Sequence, residues 1–222
     1  MTANLTNPIF QNEEKAIAHF EAIRWPDGPV CPHCGVAGEA TSVQGKSHRL
    51  GMWQCNACRE PFTVKVGTVM ESSHIPMHKW ALAFHLVAAS KKGVSAYQLH
   101  RMLGITYKSA WFMEHRIREA MRRVDAEPLG GKGKSVEIDE TFIGTEAGKV
   151  KKRGGGQHKR KVVSLVEHCG DADLQRYLDE FDFRYSNRVA AGVDDVLRTM
   201  RAIKGAEGKR LTYKQPRSAQ PA

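Results

Sequence analysis

The chain has 222 residues, 34 Lys and Arg against 24 Asp and Glu, a formal charge of +10, and 41% hydrophobic residues. That length holds one or two ordinary domains, and the composition is that of a globular protein rather than a disordered or fibrous one. No apolar run reaches the roughly 18 residues of a membrane helix and no signal peptide is recognisable, so the expectation is a cytoplasmic protein with no membrane role and a polyanionic partner, nucleic acid first.

Residues 1–30 read as a helical lead-in. Ala16, Ile17, Phe20 and Ile23 recur at helical spacing behind Glu13, Glu14 and Lys15, and Trp25-Pro-Asp-Gly-Pro29 stops the helix. Cys31-Pro-His-Cys34-Gly and Cys55-Asn-Ala-Cys58 follow, two C-x-x-C knuckles separated by residues 35–54. This spacing lets each pair grip one side of a tetrahedral Zn²⁺ ion. Four thiolates leave no open coordination position, so the ion is a folding element rather than a catalyst. Pro32 and Gly35 suit the knuckle turn, and 52–54 with 62–66 read as strands of a small ribbon spanning 31–70. His33 and His48 are read as turn or surface residues, and Cys169 as an ordinary thiol.

From Ile75 the hydrophobic period becomes helical. Residues 76–90, rich in buried types such as Trp80, Phe84 and Leu86, predict one helix. Ser95 and Gln98 form a capping box for a second. Gly104 turns the chain, Thr106 caps, and a third helix is predicted from Tyr107 to Val124. Helix, short helix, glycine turn and longer helix is the helix-turn-helix pattern, whose last member lies in the major groove of DNA. Residues 75–125 form this module, with a plain helical bundle as the alternative. Ala110, Met113, Ile117, Ala120, Met121 and Val124 make the inward stripe of the third helix. Lys108, Ser109, His115, Arg116, Arg118, Arg122 and Arg123 lie mostly off that stripe and are the candidate DNA contacts.

Residues 126–135 read as a linker. Lys134–Thr145, KSVEIDETFIGT, then reads as a strand that presents the carboxylate of Asp139 within an apolar run. Residues 149–161 hold seven basic side chains, three glycines and no acid, a turn suited to phosphate or to water. Residues 162–166 predict a second strand, antiparallel to the first if the intervening turn is a hairpin. Two helices follow, on Leu174, Tyr177, Leu178, Phe181 and Tyr185, and on Val193, Val196, Leu197 and Met200. The basic tail from Val196 onward is expected to fray.

The order of these motifs is informative. CPHCG, CNACREPFTVKVGTVMESSHIPMHKW, GVSAYQLHRMLGITYKSAWFMEHRIREAM and VEIDETFIG together resemble the bacterial insertion-sequence transposases of the zinc-ribbon, ISXO-like group. The likeness runs from about Ile17 to Glu167 and resumes at 174–188 and at RLTYKQP. It implies an α+β multi-module fold: an N-terminal Cys₄ zinc ribbon, a helix-turn-helix helical domain and an RNase H-like α/β catalytic domain in 134–222. It also implies DDE-type chemistry, in which two Asp and a third acidic or amide residue hold two Mg²⁺ ions, with Asp139 at the position of the first Asp. In the relatives further strands, a second Asp and a third ligand follow; here Glu167-His-Cys-Gly-Asp-Ala-Asp173 leads directly into the last helices. The 83 residues after Asp139 leave no room for the missing elements, and Asp171 and Asp173 do not stand in a strand context. The expectation is a truncated RNase H-like domain that neither cleaves nor joins DNA and that exposes strand edges. Two alternatives remain open: an active transposase with a rearranged triad, and a DNA-binding remnant that occupies the terminal repeats of an insertion element. Such a remnant would form homo-oligomers, or mixed oligomers with full-length transposase that inhibit it.

Overall fold

The computed structural model describes residues 5–45, 47–91, 93–122, 140–143, 160–163 and 172–212. The chain divides into two compact units, residues 1–122 with 179–222, and residues 123–178.

In the larger unit a 3₁₀ turn at Pro8–Phe10 leads into α1, Glu13–Arg24. Asn12 caps α1 by accepting the Lys15 N–H at 2.9 Å, and the acids Glu13 and Glu14 sit in its first turn, where the helix dipole favours them. Strands β1 (Ala40–Ser42), β2 (Trp53–Cys55) and β3 (Pro61–Phe62) form an antiparallel sheet, with Thr41 opposite Gln54 and Trp53 opposite Phe62. β1 was not predicted, since Ala-Thr-Ser carries no apolar alternation. The expected strand at 62–66 shortens to Pro61–Phe62, because a turn closed by Val66 N–H to Thr63 O at 3.1 Å ends the ladder.

Helices α2 (Met77–Ala89), α3 (Ala96–Leu103) and α4 (Tyr107–Met121) follow the predicted order, with α4 ending three residues before the predicted Val124 because Arg122 is extended, and with Val124 itself outside the described residues. Pro76 begins α2 but has no side-chain acceptor. Glu13 from α1 supplies it, accepting from Met77 N–H at 2.8 Å and His78 N–H at 3.1 Å. α2 lies at the centre of the unit, packed against α1, α3, α4 and α6. Its apolar residues all round, with Trp80, Ala83, Phe84, Val87 and Ala88 fully buried, are what a central helix requires.

The C-terminal segment corrects one expectation. α5 spans Ala172–Ser186, and α6, Asp195–Lys204, is capped by Asp194 accepting the Leu197 N–H at 2.8 Å. Far from fraying, α6 buries Ala202 and Ile203 against α2, α1 and α4. Beyond it, Val69 N–H donates to Ala206 O at 3.2 Å and Gly208 N–H to Gly67 O at 3.0 Å, so the chain's late residues form a bridge with residues 67–69. The helices that the sequence reading grouped with 134–222 therefore pack, from Asp179 onward, within the larger unit.

In the smaller unit β4 (Glu140–Ile143) pairs antiparallel with β5 (Arg160–Val163), Glu140 opposite Val163 and Ile143 opposite Arg160. This is the expected antiparallel pairing, with the second strand beginning two residues earlier than predicted; residues 144–159 between the strands lie outside the described residues. Asp139, Glu167, Cys169 and Asp171 lie outside the described residues, and Asp173 falls in the first turn of α5.

Candidate functional site

The four paired cysteines converge. Cys31 Sγ lies 3.7 Å from Cys58 Sγ and Cys34 Sγ 3.7 Å from Cys55 Sγ, and all four sulfurs fall within 4.8 Å of one another. Four Zn–S bonds of about 2.3 Å at tetrahedral angles put sulfurs about 3.75 Å apart, so this donor set fits zinc. The two knuckles share one backbone device: the residue after the second cysteine is left-handed, Gly35 at φ 78° and Arg59 at φ 64°. Gly35 N–H then returns to Cys31 O at 2.9 Å and Arg59 N–H to Cys55 O at 3.1 Å. The N–H groups of Cys58 and Ala57 hold the Cys55 thiol down to about 7, which favours the thiolate a metal needs. Cys58, although the Glu60 N–H favours its charged form, is pushed up to about 12 by desolvation and by its cysteine neighbours. His33 and His48 are exposed and outside the cluster, as expected. Cys31 and Cys55 are buried in the same core as Phe20, Trp25 and Phe62, with the Trp25 and Phe62 rings edge to face at 5.6 Å. Loss of the ion would therefore loosen the α1 face as well as the knuckles.

The second candidate surface is the α3–α4 corner. Ser95 caps α3 by accepting the Gln98 N–H at 3.2 Å, and Gly104, left-handed at φ 59°, ends it. Thr106 caps α4 by accepting the Ser109 N–H at 3.2 Å and donates its hydroxyl to Ser109 Oγ at 2.9 Å. Lys108 is exposed and Ser109 half-buried in this first turn. Arg122, at the far end, is exposed and pairs with Glu119 at 2.7 Å. Arg123 lies outside the described residues.

The remaining three candidates are not on the surface, a correction to the reading of α4. His115 is 1% exposed and Arg118 3%. Arg116, 9% exposed, stacks on the Phe112 ring at 4.5 Å and donates to Glu71 O at 3.0 Å. Arg118 is held between Glu114 one turn back and Glu180 of α5, whose Oε2 accepts its Nε at 2.6 Å. Glu180 also pairs with Arg184 at 3.3 Å, and Arg184 donates to Ser90 O at 2.9 Å. Burial pushes the Glu114 carboxyl up to about 7; Arg118 opposes the shift and the nearby Glu180 charge adds to it. The periodicity of α4 located its apolar face correctly, but it could not foresee that α5 and the chain near Glu71 cover the basic face.

Sequence reasoning missed three exposed side chains at the corner. Tyr97 is 59% and Tyr107 51% exposed, their ring centroids 6.3 Å apart, and the Arg101 guanidinium lies 5.3 Å from the Tyr97 ring. The signal was present: the two N-caps place both tyrosines in first turns, off the apolar positions Ala96, Leu99, Leu103 and Ala110.

Residues 11–60 match the family described as transposase zinc-ribbon domain. An uncharacterized protein in transposable element ISH50 of Halobacterium salinarum is 29% identical over 134 residues, 60% of this chain and 43% of that protein. The chain thus spans less than half the length of the curated relative it matches. No solved structure matches it. A Cys₄ cluster of zinc dimensions inside a matched transposase ribbon, on a chain similar to an insertion-element protein, makes this an insertion-sequence transposase-like protein.

Proposed function

We propose that the chain is the DNA-recognition part of an insertion-sequence transposase, with α3 and α4 as a helix-turn-helix, and that it binds the terminal repeats of an element without cutting or joining them. The observation that carries this reading is the docking of the C-terminal segment. Residues 179–212 pack into the unit formed by residues 1–122, and the Arg118–Glu180 ion pair at 2.6 Å brings the end of α4 and the start of the returning segment together. The zinc ribbon and helices thus form a module that closes on itself, and residues 123–178 are an excursion from it. Shortening such an excursion leaves the module's core contacts in place, so a chain that has lost the later catalytic ligands keeps its DNA-binding half.

Asp139 alone of the expected triad has its place in the sequence, and a two-ion Mg²⁺ site needs further carboxylates fixed around a shared pair. A DNA-binding chain without that set would compete with full-length transposase for element ends, alone or in mixed oligomers.

The test is a binding and strand-cleavage assay of the zinc-loaded chain on DNA carrying the ends of a related element, with Mg²⁺ or Mn²⁺ and with Asp139→Ala as control. Salt-sensitive binding without cleavage products is expected. Metal-dependent products that vanish in Asp139→Ala would overturn the inactive reading and show that other acids complete the triad.

A further inference from the structure

The surface of α4 that any ligand can reach is small. From Met113 to Met121 every residue except the half-buried Glu119 is buried, and the basic side chains on that stretch are engaged with Glu71, Glu114 and Glu180. A helix in this state cannot lie lengthwise in a groove of DNA. Its open part is the first turn, next to the start of α3. There Tyr97, Arg101, Tyr107 and Lys108 stand exposed around the Gly104 turn. The charge of the region is one-sided: residues 72–113 contain no Asp or Glu, and they include Lys79, Lys91, Lys92, Arg101 and Lys108. Two solvent-exposed tyrosines beside two cations, in a stretch of 42 residues without an acid, suit a polyanion that also offers flat or apolar edges.

The geometry points to duplex DNA lying against this corner, with α4 meeting it end-on. α4 enters the major groove by its first turn, Tyr97 and Tyr107 contact sugar and base edges, and Arg101 and Lys108 lie against phosphates. This deepens the DNA-binding reading above and rests on it. Duplex is chosen over an unpaired base by a distance. A base held between two rings needs about 6.8 Å, two stacking steps of about 3.4 Å each, and it needs parallel faces. The two tyrosine rings are 6.3 Å apart and inclined by 53°, and the Arg101 guanidinium occupies one face of Tyr97. The pair therefore presents edges and hydroxyls rather than a slot. Short entry also limits the readout to a few base pairs per protomer, with the remaining affinity coming from phosphates.

The test uses the full zinc-loaded chain and a labelled duplex of mixed sequence, with the matching single strand as a second probe. Tyr97→Ala with Tyr107→Ala is expected to weaken duplex binding about tenfold. Arg101→Ala and Lys108→Ala should each lower the slope of log affinity against log salt by about one. Lys15→Ala, which removes the same charge from the exposed face of α1, should change neither. Because the substituted residues are exposed, helix content and zinc content should remain those of the parent. Nitration of Tyr97 and Tyr107, mapped with and without duplex, gives a readout free of substitutions: protection of both supports the corner. Parent-like duplex affinity in the double tyrosine variant, with no protection, places the DNA face elsewhere while leaving the chain a DNA-binding protein. Tighter binding of the single strand, lost with the tyrosines, overturns the duplex assignment. A parent chain that binds neither probe overturns this inference and the DNA-binding reading together.

Discussion

Arg59 is the residue at which the zinc knuckles carry strain. The left-handed conformation that Gly35 adopts at no steric cost is forced on a side chain at Arg59, φ 64°. Replacement by a β-branched residue should cost more than about 1 kcal/mol and speed zinc loss to a chelator, whereas Arg59→Gly should hold zinc at least as well. Chelator-dependent release kinetics separate the two. Glu114 makes a second prediction at this scale. Its folded carboxyl titrates near 7 against an ordinary 4.5, so the folded state binds more protons in between and loses stability as pH rises through that window. Burial holds His19 and His85 below their usual 6.5, which acts with the opposite sign, so the readout is the difference from Glu114→Gln. Urea midpoints should show the parent gaining on the variant at pH about 5 relative to pH about 8. A difference that does not vary with pH would show that Glu114 stays ionised beside Arg118.

Among the elements, α2 depends on a cap supplied by another helix. Glu13 accepts both leading N–H groups of α2 and the His78 ring nitrogen at 2.8 Å, and these bonds hold its pKa below the usual value although burial works against them. Glu13→Ala should destabilise the unit by about 1 kcal/mol, the ordinary worth of a helix cap. The contribution of Glu13 is present above pH about 4.5 and is lost as pH falls through its lowered pKa, so the penalty should shrink in acid. α6 is the other sensitive element. Gly205 ends it where an added Cβ would collide with the Ala120 carbonyl oxygen, a backbone atom that cannot rotate away. Gly205→Ala should push α6 off α4 and lower the melting temperature by several degrees, measurable by circular dichroism. The amphipathic helices and their caps were legible in the sequence, since Ser95, Thr106 and Gly104 are each the residue type their position demands. The Glu13 cap was not, because residues 13 and 77 are brought together only by the packing of α1 on α2.

At the scale of the molecule, the larger unit is discontinuous in sequence, and this predicts how truncations behave. A chain ended at residue 122 loses α6, the Thr199 hydroxyl 3.1 Å from His85 Nδ1, and the Arg198 donation to Ala88 O at 3.2 Å. It should lack a cooperative thermal transition. A chain in which a short Gly-Ser linker replaces 123–178 should keep its zinc and its melting behaviour, because Arg118 and Glu180 already hold the two ends close. The sequence by itself determined the four-cysteine cluster that fits zinc, through two pairs whose spacing admits little else, and the order of ribbon and helices, through local periodicity and caps. It also carried the resemblance to insertion-sequence transposases. Only the tertiary structure decided that α6 closes the N-terminal unit, that His115, Arg116 and Arg118 are buried, and that Tyr97 and Tyr107 are exposed side by side. Local pattern records which face of a helix is apolar. It does not record which other segment will cover the polar face, because that depends on contacts between residues such as Arg118 and Glu180, 62 positions apart.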